Sequence, residues 1–170
     1  MKKIFTIVAL VVLGFVSTTS FAQVSTTATV SSTIITPISI SKIIDMDFGT
    51  ASVSTSPGTI QLGTDNTRVK SGGVTLPVVT GTVTSAKFTV TGQGNSTYSI
   101  TLPSTVTTID DNNGHTMTVD GWISDPSATG LLTSGGSQDV FVGATLHVSG
   151  SQPAGVYLSD IPFSVTVNYN

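Results

Sequence analysis

The chain has 170 residues, with six Lys and Arg against nine acidic residues, all of them Asp, and no cysteine. A formal net charge of −3 without any basic run excludes a nucleic-acid partner, and the missing thiol excludes disulfides, thiolate metal sites and redox motifs. Abundant Thr, Ser, Val and Gly with no Glu and little Lys is poor helix material and good strand material.

The first element is a targeting segment. Lys2 and Lys3 precede an apolar run from Ile4 to Val16, broken only by Thr6 and Gly14, and Ser20-Phe21-Ala22 follows with small residues at its first and third places. This pattern predicts a secretory signal peptide over 1–22, cleaved after Ala22. The run is shorter than the roughly 20 residues that span a bilayer, and no later run is long enough. The expectation is an exported protein, extracellular or at the cell surface by way of the periplasm, with no transmembrane segment in the mature chain. Residues 23–170 have a single-domain length that can bury a core without disulfides.

An arm comes next. Over 24–40 the even positions read Val24, Thr26, Ala28, Val30, Ser32, Ile34, Thr36, Ile38, Ile40, and the odd ones are mostly Ser and Thr. This period of two predicts an unusually long strand, with Pro37 marking an edge position or a break. "DMDFGT" places Phe48 before a glycine turn. "KFTV" and "STYSITL" flank a "GQGN" turn, with Ala86, Phe88 and Val90 and then Tyr98, Ile100 and Leu102 on one parity. "DDNNGHTMTVDGWIS" puts a tight turn at Asn113-Gly114 before Met117, Val119 and Ile123. "QDVFVGATLHVSG" alternates through Val140, Val142, Ala144, Leu146 and Val148. The final stretch, "AGVYLSDIPFSVTVNYN", alternates Tyr157, Ser159, Ile161, Phe163, Val165, Val167, Tyr169 against a largely polar set. Short strands with closely spaced turn signals and no helical periodicity predict an all-β fold. The form expected is a single antiparallel β-sandwich, immunoglobulin-like, with a jelly-roll-like arrangement as the alternative.

Groups able to titrate or attack are sparse. His115 follows the Asn-Gly turn and His147 lies on the polar parity of its strand, so both read as surface residues. The run Asp110-Asp111-Asn112-Asn113-Gly114 resembles a calcium loop, but Ile109 stands where such a loop needs an acid, and Asn-Gly is a hairpin signal without any ion. Asp45 and Asp47 read as a solvated strand face, and the sequon Asn95-Ser96-Thr97 as a polar turn. Trp122 sits on the parity opposite to Met117, Val119 and Ile123, which turns it outward; it could stack on a sugar or pack under a loop. The residues imply no enzyme, no catalytic, metal or cofactor-binding residue, and no cofactor.

The ending, with Tyr169 penultimate and Gly155 about one strand-length before it, resembles the last strand of chaperone–usher-type pilins. "PAGVYLSDIPFSVTVNY" is also similar to the end of spore-coat-U-type surface proteins. More fully, "TPISISKIIDMDFGT", "SGGVTLP", "FTVTGQGNSTYSITLPSTVT", "MTVDGW" and "VGATLHVSGSQPAGVY" through "VTVNY" resemble, in that order, the bacterial secreted family known as domain of unknown function 4402. The pilin resemblance implies a structural, fimbrial-like subunit whose sandwich is completed by a neighbour's strand. Val30, Ile34 and Ile38 would be donor residues, and Gly155, Phe163, Val165, Val167 and Tyr169 would form the receiving edge. The partners implied are the protein itself or related subunits, a periplasmic chaperone and an outer-membrane usher. The other open reading is a self-contained secreted surface domain, adhesive or carbohydrate-binding, with Trp122 as its ligand contact.

Overall fold

The computed structural model describes residues 22–170, so the predicted signal peptide lies outside the described residues except for Ala22. The chain divides into two units, Met1–Ile34 and Ile35–Asn170. In the first, residues 22–34 carry neither helix nor strand and are exposed throughout. The second unit holds ten strands: β1 (Ser39–Ile44), β2 (Ser52–Leu62), β3 (Arg68–Thr75), β4 (Ala86–Thr91), β5 (Thr97–Thr101), β6 (Thr107–Asp110), β7 (Thr116–Asp125), β8 (Thr129–Leu131), β9 (Ser137–Val148) and β10 (Thr166–Tyr169). All pairings are antiparallel, and the protein is an all-β, sandwich-like arrangement of a seven-stranded and a three-stranded sheet.

β9 organises the larger sheet. Its even positions Val140, Val142, Ala144, Leu146 and Val148 are all buried, as strand alternation requires. Residues 137–142 pair with β4, 144–148 pair with β2, and 141–147 pair with β7. Because a strand has only two edges, β4 and β2 must share one edge of β9 end to end while β7 takes the other. β1 then flanks β4, β3 flanks β2, and β6 flanks β7. Where β2 hands over to β4, Asn66 Oδ1 accepts the Ser85 amide and Ser85 Oγ donates to the Thr64 carbonyl, which satisfies the buried serine. In the smaller sheet β5 is central, between β8 and β10.

Two clusters fill the interior. The first joins Phe88, Val90, Val140 and Val142 of the large sheet to Tyr98, Ile100, Leu132 and Val167 of the small-sheet side. The second gathers Ile60, Val74, Val119, Ala144, Leu146 and Val148 of the large sheet, with Phe48 packed against it. Met46 and Trp122 pack against both. The "GQGN" turn forms as the sequence predicts, and the β6–β7 hairpin turns at the predicted place through a three-residue loop, Asn112–Gly114, with φ positive at Asn112 and Gly114.

The inner face of β7 departs from simple alternation. Asp120 pairs with Thr145 and Ile123 with Gly143, so β7 advances three residues while β9 advances two. That extra residue is a β-bulge, made at Gly121, whose φ is +59°. The bulge reverses parity beyond it. Trp122 therefore turns inward to both clusters, and Ile123 turns outward to 39% exposure.

Candidate assembly edge

β10 is an edge strand, and its backbone polarity follows from its register. The pairs run from Thr166↔Thr101 to Tyr169↔Tyr98. The Asn170 amide donates to the Thr97 carbonyl, so the even residues of this strand are the ones that exchange bonds with β5. The N–H and C=O groups of Val167 and Tyr169 consequently face away from β5. No other backbone partner reaches them among the described residues. Their side chains point inward, Val167 into the first cluster and Tyr169 against it.

The ladder stops at Thr166 for a reason visible in the sequence. Continued in register, Ser164 would lie opposite Pro103 in a pair that needs an amide from each residue, and proline has none. Among the described residues, 159–165 make no backbone–backbone hydrogen bond. Alternation nonetheless continues: Phe163 and Val165 are half-buried against the first cluster while Ser164 and Thr166 are exposed. It ends at Ile161, which is 80% exposed. Phe163 lies on Trp122, ring centroids 4.5 Å apart at 35°, and edge-on to Phe88 at 6.2 Å. The Trp122 Nε1 donor is buried and has no acceptor among the described residues. Beside it, Leu102–Val106 and Asp120–Trp122 line an open cleft of about 530 Å³.

Tyr169 closes one end of this edge. Its Oη accepts the Gln93 amide at 2.6 Å and donates to the Thr36 carbonyl at 2.7 Å, while the Thr36 amide donates to Gln93 Oε1. One phenol thus joins β10 to the approach to β1 and to the turn after β4.

The residues anticipated for assembly fall into three places. Phe163, Val165, Val167 and Tyr169 share the β10 edge. Ile38 is half-buried against the same cluster, whereas Val30 and Ile34, at 98% and 95% exposure, belong to the exposed 22–34 stretch. Strand structure in the predicted arm begins only at Ser39. Gly155 lies apart from the edge, in the loop packed on the β6–β7 hairpin: a Cβ there would stand 3.5 Å from that of Asp111, and Gln152 Nε2 donates to the Thr116 carbonyl. Sequence reasoning did not find Trp122 as the partner of Phe163, because nothing in a local pattern fixes a bulge; Gly121 directly before it was the one available signal.

Most of the titratable groups are engaged in local structure. Asp111 accepts the Asn113 and His115 amides and pairs with His115 Nδ1 at 2.7 Å. The His115 contact, assisted by those amides, holds its carboxyl down at about 2. Asp110 caps the same turn through the Asn112 amide. His147 meets Asp120 across β9 and β7. Lys87 and then Thr89 lower Asp139, and burial raises Tyr98, whose Oη donates to Gln138 Oε1. Asp45 pairs with Lys42, and Asp47 accepts the Gly49 amide. Asn95 sits in the turn before β5 with φ +61°. Among the described residues no group of three or more His, Asp or similar ligands could hold a metal ion, and no helix is long and apolar enough to cross a membrane.

Fold and edge together define an all-β protein with a two-sheet core and an edge strand, β10, whose outer side has no backbone partner among the described residues. The chain belongs to the family described as domain of unknown function 4402 (DUF4402), whose profile matches residues 38–169. The match covers every strand but leaves the 24–37 stretch outside. No curated protein and no solved structure matches the chain.

Proposed function

We propose that this protein is a non-enzymatic, exported surface subunit of fimbrial type that assembles by strand addition. The apolar side of residues 24–34 of one subunit lies along the β10 edge of the next, completing an immunoglobulin-like, pilin-like sandwich, while Ile38 stays packed on its own subunit's first cluster. One observation carries this reading. The chain combines a strand edge whose Val167 and Tyr169 backbone groups have no partner among the described residues with an alternating segment whose Val24, Val30 and Ile34 are almost wholly exposed. Each deficit is what the other supplies: main-chain bonds give affinity, and alternate side chains seat in pockets. An edge of this kind otherwise invites uncontrolled pairing, which is the task of a periplasmic chaperone before delivery to an outer-membrane usher.

Export precedes assembly in this scheme, so the mature protein starts at Gln23, a point that intact mass of the secreted protein checks. The assembly itself is tested by light scattering on the mature chain over a range of concentrations, alone and with any cognate chaperone. Growth into polymers, abolished by deleting residues 23–33, is the expected result. A wild-type chain that stays monomeric under all these conditions, and that merely loses thermal stability on deletion, is instead a self-contained surface domain.

A further inference from the structure

The strand named above, β10, is too short for the arm proposed to bind it. Only Thr166–Tyr169 is paired, and only two of those residues direct their backbone outward, whereas the exposed alternating arm runs from Val24 to Ile34. Resting on the strand-addition reading, we infer that the receiving strand is longer than β10 and extends back to Phe163. The incoming arm of a second copy bonds to the N–H and C=O groups of Phe163, Val165, Val167 and Tyr169.

Four observations converge on this extent. The inward side-chain parity that β10 sets continues without a break through Val165 to Phe163 and fails at Ile161. Residues 163 and 165 have no backbone partner among the described residues, so their groups are open to a new strand. The two prolines fall where they do no harm to that strand. Pro103 blocks only the β5 side, and Pro162, at an even position, lacks an amide that the parity would direct toward β5 and not outward. Finally, the place where the β5 ladder fails adjoins the cleft along Leu102–Val106 and the Trp122 indole under Phe163, whose Nε1 has no acceptor among the described residues. A strand laid on the outer side of 163–165 would press Phe163 onto Trp122.

Residue-resolved amide hydrogen exchange tests this directly. The protein is the full mature chain carrying Ile34→Asp, which alters the donor segment and leaves every strand intact. The probe is a synthetic peptide of residues 24–34, the exposed part of the arm. The expected result is alternating protection, with exchange slowed by about tenfold or more at Phe163, Val165, Val167 and Tyr169 while the Ser164 amide is unchanged. The single tryptophan supplies a second readout, since its indole N–H resonance should shift as Phe163 is clamped. Protection confined to Val167 and Tyr169 would overturn the longer strand while leaving strand addition standing. Absence of protection at all four would overturn both.

Discussion

Replacing Tyr169 with Phe removes a single oxygen and cuts the link among three distant parts of the chain. The ring stays, so its packing against the first cluster is kept. Two hydrogen bonds are lost, the 2.6 Å bond from the Gln93 amide and the 2.7 Å bond to the Thr36 carbonyl. The Gln93 bond is part-buried, and an amide left there without an acceptor costs about 1–3 kcal/mol. The Thr36 bond is exposed and its carbonyl can turn to water, so it adds about 0.5–1 kcal/mol at most. A total near 2–3 kcal/mol, the middle of the summed range, corresponds to a Tm lower by about 4–12 °C in a domain of this size. Thermal unfolding of the mature protein followed by circular dichroism reads it, and the spectrum itself should stay that of a β protein. A Tm changed by less than about 1 °C would show that Gln93 and Thr36 find other partners and that the phenol is no latch.

Acid should reveal the Asp111–His115 contact. The folded carboxyl titrates at about 2, below its ordinary 3.8, so its contribution to stability is complete above the unfolded value and is lost as pH falls from about 4 toward 2. Carboxyl chemical shifts should place the Asp111 titration at about 2, and Asp111→Asn should flatten that part of the acid unfolding curve. A normal Asp111 titration would dissolve the pair. Gly130→Ala should destabilise the small sheet by about 1–3 kcal/mol, because a Cβ there meets the Tyr98 ring, which covers the β8 backbone; urea unfolding with an unchanged midpoint would mean that Tyr98 can move aside.

Much of the fold was legible because period two survives wherever one strand face is buried. The inward sets of β4, β5 and β9 fall where the alternation of Phe88, Tyr98 and Val140 places them, and the β6–β7 hairpin turns where Asn113-Gly114 predicts. The misreadings share a cause: they depend on pairs far apart in sequence. Trp122 and Ile123 exchange faces because one extra residue at Gly121 shifts β7 against β9, a fact of register and not of local pattern. The alternation before Tyr169 looks like one long strand, yet only four residues pair, since Pro103 lies where Ser164 would need a donor. Gly155 fits a spacing measured along the chain, but the fold carries it onto the β6–β7 hairpin. The 24–37 stretch shows strand periodicity but no strand pairing among the described residues, because alternation reports a preference for one buried face and does not by itself supply a partner strand.

The most direct test of assembly by strand addition is a complementation of two defective chains. Ile34→Asp alters the donor segment and spares the edge; Val165→Asp does the reverse, putting a charge where the first cluster is packed. Each mature variant alone is sized by light scattering, and then the two are mixed in equal amounts. The account predicts that neither polymerises alone and that the mixture yields a dimer and nothing larger, one intact arm in one intact edge. Polymers from either variant alone, or a mixture that remains two monomers while wild type polymerises, would contradict it.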